Sequence, residues 1–151
     1  MTSFWNDLPQ PFFILAPMEA VTDVVFRHVD KLKQAGAPDI FFTEFANATG
    51  WVHAGDKAIA GRLIKTDDEH PLVAQIWGGE PGDMEAILSL HCAELGFDGI
   101  DINMGCPAKS AIKSGGAALI RRPDIAVAAI AAAKTAGLPV SVKTRLGYTY
   151  C

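Results

Sequence analysis

Short apolar segments alternate with helix-like segments along this chain, and this alternation limits the fold more than any other feature. Five segments have the length and composition of β-strands, and we predict them at residues 12–17, 39–45, 71–77, 99–104 and 139–146. Strands that alternate with helices pair in parallel through right-handed crossovers. The pattern therefore predicts an α/β fold with a parallel sheet.

The intervening segments carry helix start and stop signals. We predict a first helix from Thr22 or Asp23, as N-cap, to Gly36, with Phe26, Val29 and Leu32 directed inward. A weaker helix is predicted over 51–63, and a fourth over 123–136, before Gly137. The third helix is predicted over 81–95, with Pro81 in its first turn. Its inward face would consist of Met84, Ile87, Leu88, His91, Cys92 and Leu95.

Composition excludes several classes of protein. The chain has 151 residues, half of them hydrophobic, which suits one globular domain, and its net charge of −4 gives no general sign of nucleic-acid binding. The three cysteines form no CxxC pair and the four histidines show no metal-ligand spacing, so we expect no disulfide framework and no metal. We see no signal peptide or membrane-spanning segment and expect a cytoplasmic protein.

Polar residues on the predicted strands distinguish between two α/β architectures, a doubly wound open sheet and a (β/α)8 barrel. Helices cover both faces of an open sheet, so its strands are apolar throughout. Here Gln75, Asn103 and Lys143 fall on one face of three successive strands, near their C-terminal ends. That position is where barrel enzymes carry their chemistry, so we predict a TIM-type (β/α)8 barrel. The alternative for each side chain is a hydrogen-bonded interior residue.

The segment GIDINMGCPAKSAIKSGGAALI places Cys106 in a turn with glycine and proline after a strand. An ordinary thiol, with a pKa of about 8.5, is mostly protonated at neutral pH and can act as an acid. A nucleophile would need the thiolate, and no histidine is close in sequence to serve as its base. The alternative is a small buried hydrophobic residue, which is our expectation for Cys92. The terminal Cys151 indicates nothing.

Basic residues gather after the fourth and fifth strands, at Lys109, Lys113, Arg121, Arg122 and Arg145. Such local positive charge suits a negatively charged ligand even in an acidic protein. The alternative, for Arg121 and Arg122 above all, is a set of solvated surface charges. The run TDDEH, at residues 66–70, is predicted to be a solvated loop.

Four motifs, taken in order, make the chain resemble the tRNA-dihydrouridine synthases. They are APMEAVTD after the first strand, VAQIWGG on the third, DINMGCPAKS with GGAALI on and after the fourth, and VKTRLG on the fifth. The resemblance covers about residues 13–147. It implies a flavin-binding barrel that reduces the 5,6 double bond of uridines in tRNA, with FMN as cofactor and NADPH or NADH as reductant.

The resemblance also implies roles for cofactor-binding residues. Lys143 would contact the flavin and stabilise negative charge on its reduced form. Gln75 would hydrogen-bond the pyrimidine edge of the flavin ring, and Asn103, on the same face, would hold the flavin or the target uracil. The loop after the first strand would lie against the ring through Pro17, Met18 and Glu19. We assign no catalytic role to Glu19 or Glu44.

The remaining implied roles concern the substrate. Cys106 would deliver a proton to one carbon of the uracil double bond while a hydride goes to the other carbon. Lys109 and Arg145 would lie on the side that meets tRNA. Departures from the family pattern are Ala20, where many relatives carry glycine, and the pair Ser110 and Ala111, where a branched aliphatic residue is usual.

Length is the largest departure, because a complete (β/α)8 barrel needs roughly 250 residues. We therefore expect residues 1–151 to be the N-terminal portion of a single FMN-binding barrel domain, without the remaining strands and the helical RNA-binding domain that follows in the family. Such a chain is expected to bind FMN weakly or not at all, to form no dihydrouridine, and to self-associate through open sheet edges.

Two alternatives from other classes stay open at this point. One is another FMN barrel oxidoreductase, similar to dihydroorotate dehydrogenase, which also places Cys-Pro or Ser-Pro near the fourth strand and acts on a small acid. The other is a non-catalytic piece that folds in part or associates with a partner. The flavin spectrum of the purified chain, and flavin reoxidation by tRNA lacking dihydrouridine compared with orotate, would separate them.

Overall fold

A parallel sheet that curls into half of a barrel forms the centre of the molecule. The structure is a computed structural model that describes residues 3–29, 36–59, 61–79, 85–113 and 115–148. The strands within these ranges run in the order β1-β2-β4-β5-β6, with the short β3 also paired to β4. They are β1 (Ile14–Leu15), β2 (Ile40–Phe42), β3 (Ala46–Asn47), β4 (Leu72–Trp77), β5 (Gly99–Met104) and β6 (Val140–Thr144). The α/β half-barrel predicted from the sequence is confirmed.

Strand lengths match the prediction in the middle of the sheet and fall short at its sides. β5 has the predicted bounds and β4 begins one residue late, whereas the predicted second strand is divided into β2 and β3. The hydroxyl of Thr43 accepts the backbone N–H of Gln75 at 3.0 Å. The Thr43 side chain thus accepts a hydrogen bond that a backbone carbonyl would otherwise accept. The regular hydrogen-bond ladder between β2 and β4 is therefore interrupted at this point.

The described helices are α1 (Val24–Arg27), α2 (Ala48–Ala54), α3 (Glu85–Glu94), α4 (Lys109–Lys113) and α5 (Pro123–Ala133). Short 3₁₀ segments lie at Phe4–Asn6, Gly55–Ile59, Gly116–Arg121 and Lys134–Ala136. Asp23 caps α1 as predicted, by accepting the N–H of Phe26 at 2.8 Å. Residues 30–35 and 81–84, with the predicted inward Leu32 and Met84, and the side chain of Ile87, lie outside the described residues.

The predicted helix over 51–63 is wrong in both bounds. Asn47 starts α2 earlier, because its side-chain oxygen accepts the N–H of Gly50 at 3.1 Å. Gly55 then ends the helix with φ of +64°, a conformation that glycine adopts at little cost. The segment that follows α4, which the sequence analysis left without an element, forms the 3₁₀ turn Gly116–Arg121.

The outer face of the sheet packs against the helices in one apolar core. Its central members include Ile76, Ile100 and Ile102 from the strands, with Leu88 and Cys92 from α3. The prediction that Cys92 is a core residue is confirmed. Two other predicted inward residues are wrong: Val29 and Leu95 are each 41 % exposed, because each lies beyond the end of its described helix.

The inner face of the sheet is apolar in its lower part, which is the part toward the N-terminal ends of the strands. There Ile40, Phe42 and Val73 form a small cluster, which four residues near the N-terminus cover: Phe4, Trp5, Leu8 and Phe12. A methyl group added at Gly99 would lie 3.1 Å from the ring of Phe4, so the absence of a side chain makes room for that ring. The N-terminal segment therefore closes this end of the half-barrel, which the sequence analysis did not anticipate.

A buried ion pair corrects the prediction of a solvated loop at 66–70. Glu69 is buried and accepts from Nε of Arg27, which is also buried, at 2.6 Å. The same guanidinium donates to the carbonyls of Thr22 and Ile64, both at 2.7 Å. Arg27, not an apolar residue, is thus the buried residue of α1, because each nitrogen of its guanidinium donates to a partner.

The described residues also lack two kinds of feature, membrane-spanning helices and metal-ligand clusters. None of their helices is long and apolar enough to cross a membrane. They also contain no group of three or more histidine, cysteine or acidic side chains placed to hold a metal ion.

Candidate functional site

The upper half of the inner face is polar, and this is where the predicted site residues lie. In the strand register Gln75 of β4 stands opposite Asp101 of β5, and Asp101 stands opposite Ser141 of β6. One step further along, Asn103 stands opposite Lys143. These side chains share one face because residues two apart on a strand point the same way. The expected cluster of Gln75, Asn103 and Lys143 is therefore present on neighbouring strands.

Hydrogen bonds connect the buried members of this cluster. The Gln75 side chain, 0 % exposed, donates from Nε2 to Oδ2 of Asp101 at 2.6 Å and accepts at Oε1 from Nδ2 of Asn103 at 3.1 Å. The Ser141 hydroxyl donates to the other Asp101 oxygen at 2.7 Å. The Gln75 amide is thus bonded at both ends within the protein, which is the alternative that the sequence analysis kept for it.

Asp101 also lies on this polar face, between Gln75 and Ser141, and no role is predicted for it from the sequence. It is 2 % exposed, and burial raises the pKa of its carboxyl. Hydrogen bonds from Gln75 and Ser141 and the charge of Lys143 act in the opposite direction without cancelling that shift. The signal that would have found it is the alternation in GIDINM, which sets a carboxylate two residues before Asn103.

The turn after β5 holds Cys106 in place at both of its backbone groups. Oδ1 of Asn103 accepts the N–H of Gly105 at 3.0 Å and that of Cys106 at 2.9 Å. The carbonyl of Cys106 accepts the N–H of Ala117 at 3.0 Å. Cys106 itself is half-buried. Its turn is fixed by Asn103, a side chain of the inner face.

A close approach of two backbones supports this turn from behind. A methyl group at Gly115 would lie 2.1 Å from the carbonyl oxygen of Gly78, and one at Gly116 would lie 2.8 Å from that of Cys106. Both glycines have positive φ, of +144° and +56°. The glycine pair in the sequence is thus required so that the segment after α4 can pack against the end of β4.

Two cavities open at this end of the sheet. One, of about 330 Å³, is lined by Pro17 and Lys143 among others. The second, of about 500 Å³, is lined by Cys106 together with Glu19 and Arg62. A larger cavity of about 790 Å³ opens beside the N-terminal segment and β6, and no predicted site residue lines it.

The loop after β1 is held by two acidic side chains. Glu19 pairs with the Arg62 guanidinium, and this carboxylate raises the pKa of Arg62. Glu44 is buried and accepts the backbone N–H of Ala20 at 2.6 Å. Ala20 has φ of +57° and is the sole non-glycine residue of the described ranges with positive φ. Both glutamates order the loop that contains Pro17 and Met18.

The five basic residues that gather near the fourth and fifth predicted strands are all exposed, and two of them lie at the Cys106 turn. Lys109 is the first residue of α4, three positions after Cys106. The side chain of Arg145 donates from Nε to the carbonyl of Gly105. Arg121 instead lies over the ring of Tyr148, at 4.7 Å from its centre. The structure thus brings Lys109 and Arg145 to the predicted site, whereas Arg121 has another partner.

The cavity beside Lys143 combines an ammonium group with a mostly apolar lining. Its walls include apolar side chains of Ile14, Phe42 and Val142. Within the described ranges the Lys143 ammonium makes no hydrogen bond or ion pair, so its donors are available to a ligand. This combination fits the ring system of a flavin.

Nearly the whole chain is similar in sequence to known proteins. Residues 14–150 match the family model described as "Dihydrouridine synthase (Dus)". The chain is 56 % identical over 149 residues to a protein of Bacillus subtilis named "Probable tRNA-dihydrouridine synthase 2". It is 55 % identical over 148 residues to a "Probable tRNA-dihydrouridine synthase" of Staphylococcus aureus. These matches cover 97 % of this chain but only 45 % and 44 % of the two relatives.

Proposed function

Because this chain belongs to the dihydrouridine synthase family, we propose that it supplies the reacting half of a flavin enzyme that reduces uridine to 5,6-dihydrouridine in tRNA. The observation that carries the proposal is the turn that fixes Cys106 at the edge of a cavity, one strand away from the exposed Lys143. The relatives named for this activity are more than twice as long as the chain. Activity, substrate and partners are therefore proposed for the chain joined to a complementary part.

The proposed reaction adds two hydrogens across the 5,6 double bond of uracil. The chemistry that FMN would supply when bound, after reduction by NADPH or NADH, is a hydride for one of the two carbons. The Cys106 thiol gives the proton from Sγ to the other carbon, and solvent then returns a proton to the sulfur. Hydrogen bonds to the backbone N–H and carbonyl of Cys106 support this role, because they fix the backbone that carries the thiol.

Several residues are proposed to bind the cofactor. Lys143 would place its ammonium beside the edge of the flavin that becomes negative, and Pro17, Met18 and Glu19 would lie against the ring. Asn103 and Gln75 would act from below, since their amides are already paired with each other and with the turn. The Ile14 and Phe42 side chains support this arrangement by contributing apolar walls to the cavity.

Lys109 and Arg145 are proposed to meet the tRNA backbone. Both are exposed and both lie beside the turn that carries Cys106. Phosphate contacts of this kind position a nucleic acid without reading its sequence. The uridine would have to leave its stack to reach the thiol, a step whose cost is a few kcal/mol.

The test uses a hybrid protein in which this chain replaces the matching part of the Bacillus subtilis relative. The hybrid, with FMN and NADPH, is incubated with tRNA that lacks dihydrouridine, and nucleosides are analysed by mass spectrometry. We expect the parent hybrid to form dihydrouridine and the Cys106→Ser variant to form only trace amounts. The Cys106→Ala variant should keep FMN bound and reducible but lose nearly all product. Cys92→Ala, which removes the buried thiol, is the matched control and should keep activity.

Two outcomes would contradict the proposal. Turnover at the parent rate in Cys106→Ala would remove the thiol from the reaction. Reoxidation of the reduced flavin by orotate, with no response to tRNA, would instead favour an enzyme similar to dihydroorotate dehydrogenase.

A further inference from the structure

The hydrogen bonds of the inner face form a chain with one direction. It begins at the backbone N–H groups of Gly105 and Cys106, which can only donate, so the Asn103 atom facing them must be its oxygen. The Asn103 nitrogen is then the group that faces Gln75, and Gln75 must meet it with its own oxygen. The Gln75 nitrogen is left to face Asp101.

Asp101 ends this chain as an acceptor. Its two oxygens receive the Gln75 nitrogen at 2.6 Å and the Ser141 hydroxyl at 2.7 Å. The direction set by backbone donors at one end therefore agrees with an acceptor at the other end. A donor in the place of the Asp101 oxygen would oppose every amide between it and Cys106.

We infer that Asp101 is a positioning residue for Cys106, acting through the oriented amides of Gln75 and Asn103. Asp101 makes no hydrogen bond to Gly105 or Cys106 within the described residues. It instead fixes the orientation of the Gln75 amide, so that the side-chain oxygen of Asn103 stays directed at the Cys106 turn. The reason to position this particular cysteine rests on the proposed function. The chain of orientation itself does not, since it follows from donors and acceptors alone.

Burial explains why a carboxyl so far from solvent is kept here. Gln75 is fully buried and Asn103 nearly so, and neither can exchange a wrongly turned partner for water. An unsatisfied polar group at such a position costs free energy, which is why the orientation of each amide depends on the next. Burial also raises the pKa of Asp101, and the carboxyl retains an acceptor oxygen for Gln75 in either protonation state.

Exchange of residues 101 and 103 gives a direct test, because a carboxylate at the other end should reverse the chain. In Asn103→Asp alone, carboxylates stand on both sides of the Gln75 amide, which can donate to only one of them, so the other faces its oxygen. In the double variant Asn103→Asp and Asp101→Asn, Gln75 donates to position 103 and accepts from position 101, and the new asparagine oxygen accepts from Ser141. The turn keeps an acceptor in all of these variants.

The readout is hydrogen exchange of the Cys106 amide in the 151-residue chain, followed by NMR without flavin or tRNA. We expect Asn103→Asp to exchange this amide about tenfold faster than the parent chain, the loss equivalent to one hydrogen bond, and the double variant to restore most of the protection. Asp101→Leu should lose a similar factor. Asp101→Asn alone should remain protected, since its oxygen can face Gln75 while its nitrogen donates to Ser141.

Two controls separate positioning from general loss of stability. The Gly50 amide, bonded to the Asn47 side chain in the same manner, should keep its exchange rate in every variant. Ser141→Ala removes a bond to Asp101 that lies outside the chain, and Cys106 protection should survive.

The inference is overturned if the effects at 101 and 103 simply add, with the double variant no better protected than Asn103→Asp. It is equally overturned if Asp101→Asn loses protection, or if a folded Asp101→Leu keeps it. Because no flavin, tRNA or product is measured, such a result would leave the proposed reaction intact. Conversely, loss of the proposed reaction would leave this measurement unchanged.

Discussion

At the scale of single residues, Lys143 differs from the other polar residues of the inner face in being exposed and cationic. It lines the cavity with Pro17, and within the described residues its ammonium forms no hydrogen bond. In the hybrid protein, Lys143→Met is expected to weaken FMN binding or slow its reduction several-fold, because a cation facing the negative edge of reduced flavin is lost. Fluorescence titration and stopped-flow reduction measure the two effects.

The control for Lys143→Met is Lys113→Met, an exposed lysine on α4 that lines neither cavity. If FMN affinity and reduction rate are both unchanged in Lys143→Met, the flavin contact is wrong.

Ala20 is a residue in a conformation that suits glycine. Its φ of +57° is left-handed, where an L-residue with a β-carbon is strained by roughly 1–2 kcal/mol. We expect Ala20→Gly to raise the free energy of unfolding by about 0.5–1 kcal/mol, after subtraction of the greater freedom of glycine in the unfolded chain. Urea unfolding checks this. Ala128→Gly, on the exposed side of α5, is the control and should lower stability by about 1 kcal/mol. A decrease in both variants would contradict the assigned strain.

At the scale of elements, α3 carries a thiol into the core, and this makes the packing of the helix sensitive to alkaline pH. Burial raises the pKa of Cys92 to about 12, compared with about 8.5 for an ordinary thiol. Between these values the unfolded chain releases a proton that the folded chain keeps, so rising pH favours unfolding. Below the lower value the contribution of Cys92 is fully present.

Cys92→Ala should remove this dependence. The free energy of unfolding of the parent chain is expected to fall, relative to the variant, by about 1.4 kcal/mol per pH unit above about pH 8.5. Urea unfolding at a series of alkaline pH values measures the difference, in which other titrating groups cancel. Parallel pH profiles for the two proteins would mean that the helix admits the thiolate to solvent.

At the scale of the whole molecule, the half-barrel has two sides without a neighbouring strand. Within the described ranges β1 pairs only with β2, and β6 pairs only with β5. Apolar side chains beside these edges are exposed: Phe13 at 70 % and Leu146 at 92 %. Unpaired strand edges flanked by apolar surface readily pair with another chain.

We therefore expect the 151-residue chain on its own to self-associate, to bind FMN weakly, and to form no dihydrouridine. Light scattering gives its mass in solution, and absorbance in the flavin band gives the FMN that it retains. The hybrid protein is the control, since the added part can cover both edges. A monomer that carries one FMN per chain would contradict this prediction.

Strand and helix periodicity made much of the fold predictable. The alternation in GIDINM and the apolar spacing of α3 are local signals, and β5 and the buried Cys92 followed them. The position of Gln75, Asn103 and Lys143 at one level of the sheet was predictable as well, because parallel strands present their C-terminal ends at the same side. The roles of these residues stay predictions.

Other features depended on partners that are distant in the chain. Arg27 pairs with Glu69, 42 residues away, and this pairing replaces the apolar contact that helix spacing favoured for α1. The Thr43 hydroxyl interrupts a strand because it accepts a hydrogen bond from a backbone N–H 32 residues away. Neither side chain signals its partner in its own segment, so pattern analysis predicted a solvated loop and a continuous strand.

The sequence by itself determined the parallel α/β half-barrel, its polar mouth and the Cys106 turn, because periodicity and turn chemistry act over a few neighbouring residues. Only the tertiary structure decided how the polar mouth is connected. Each buried amide must match the donor or acceptor that the next strand presents, so the orientation of Gln75 is set by Asp101, 26 residues further along the chain.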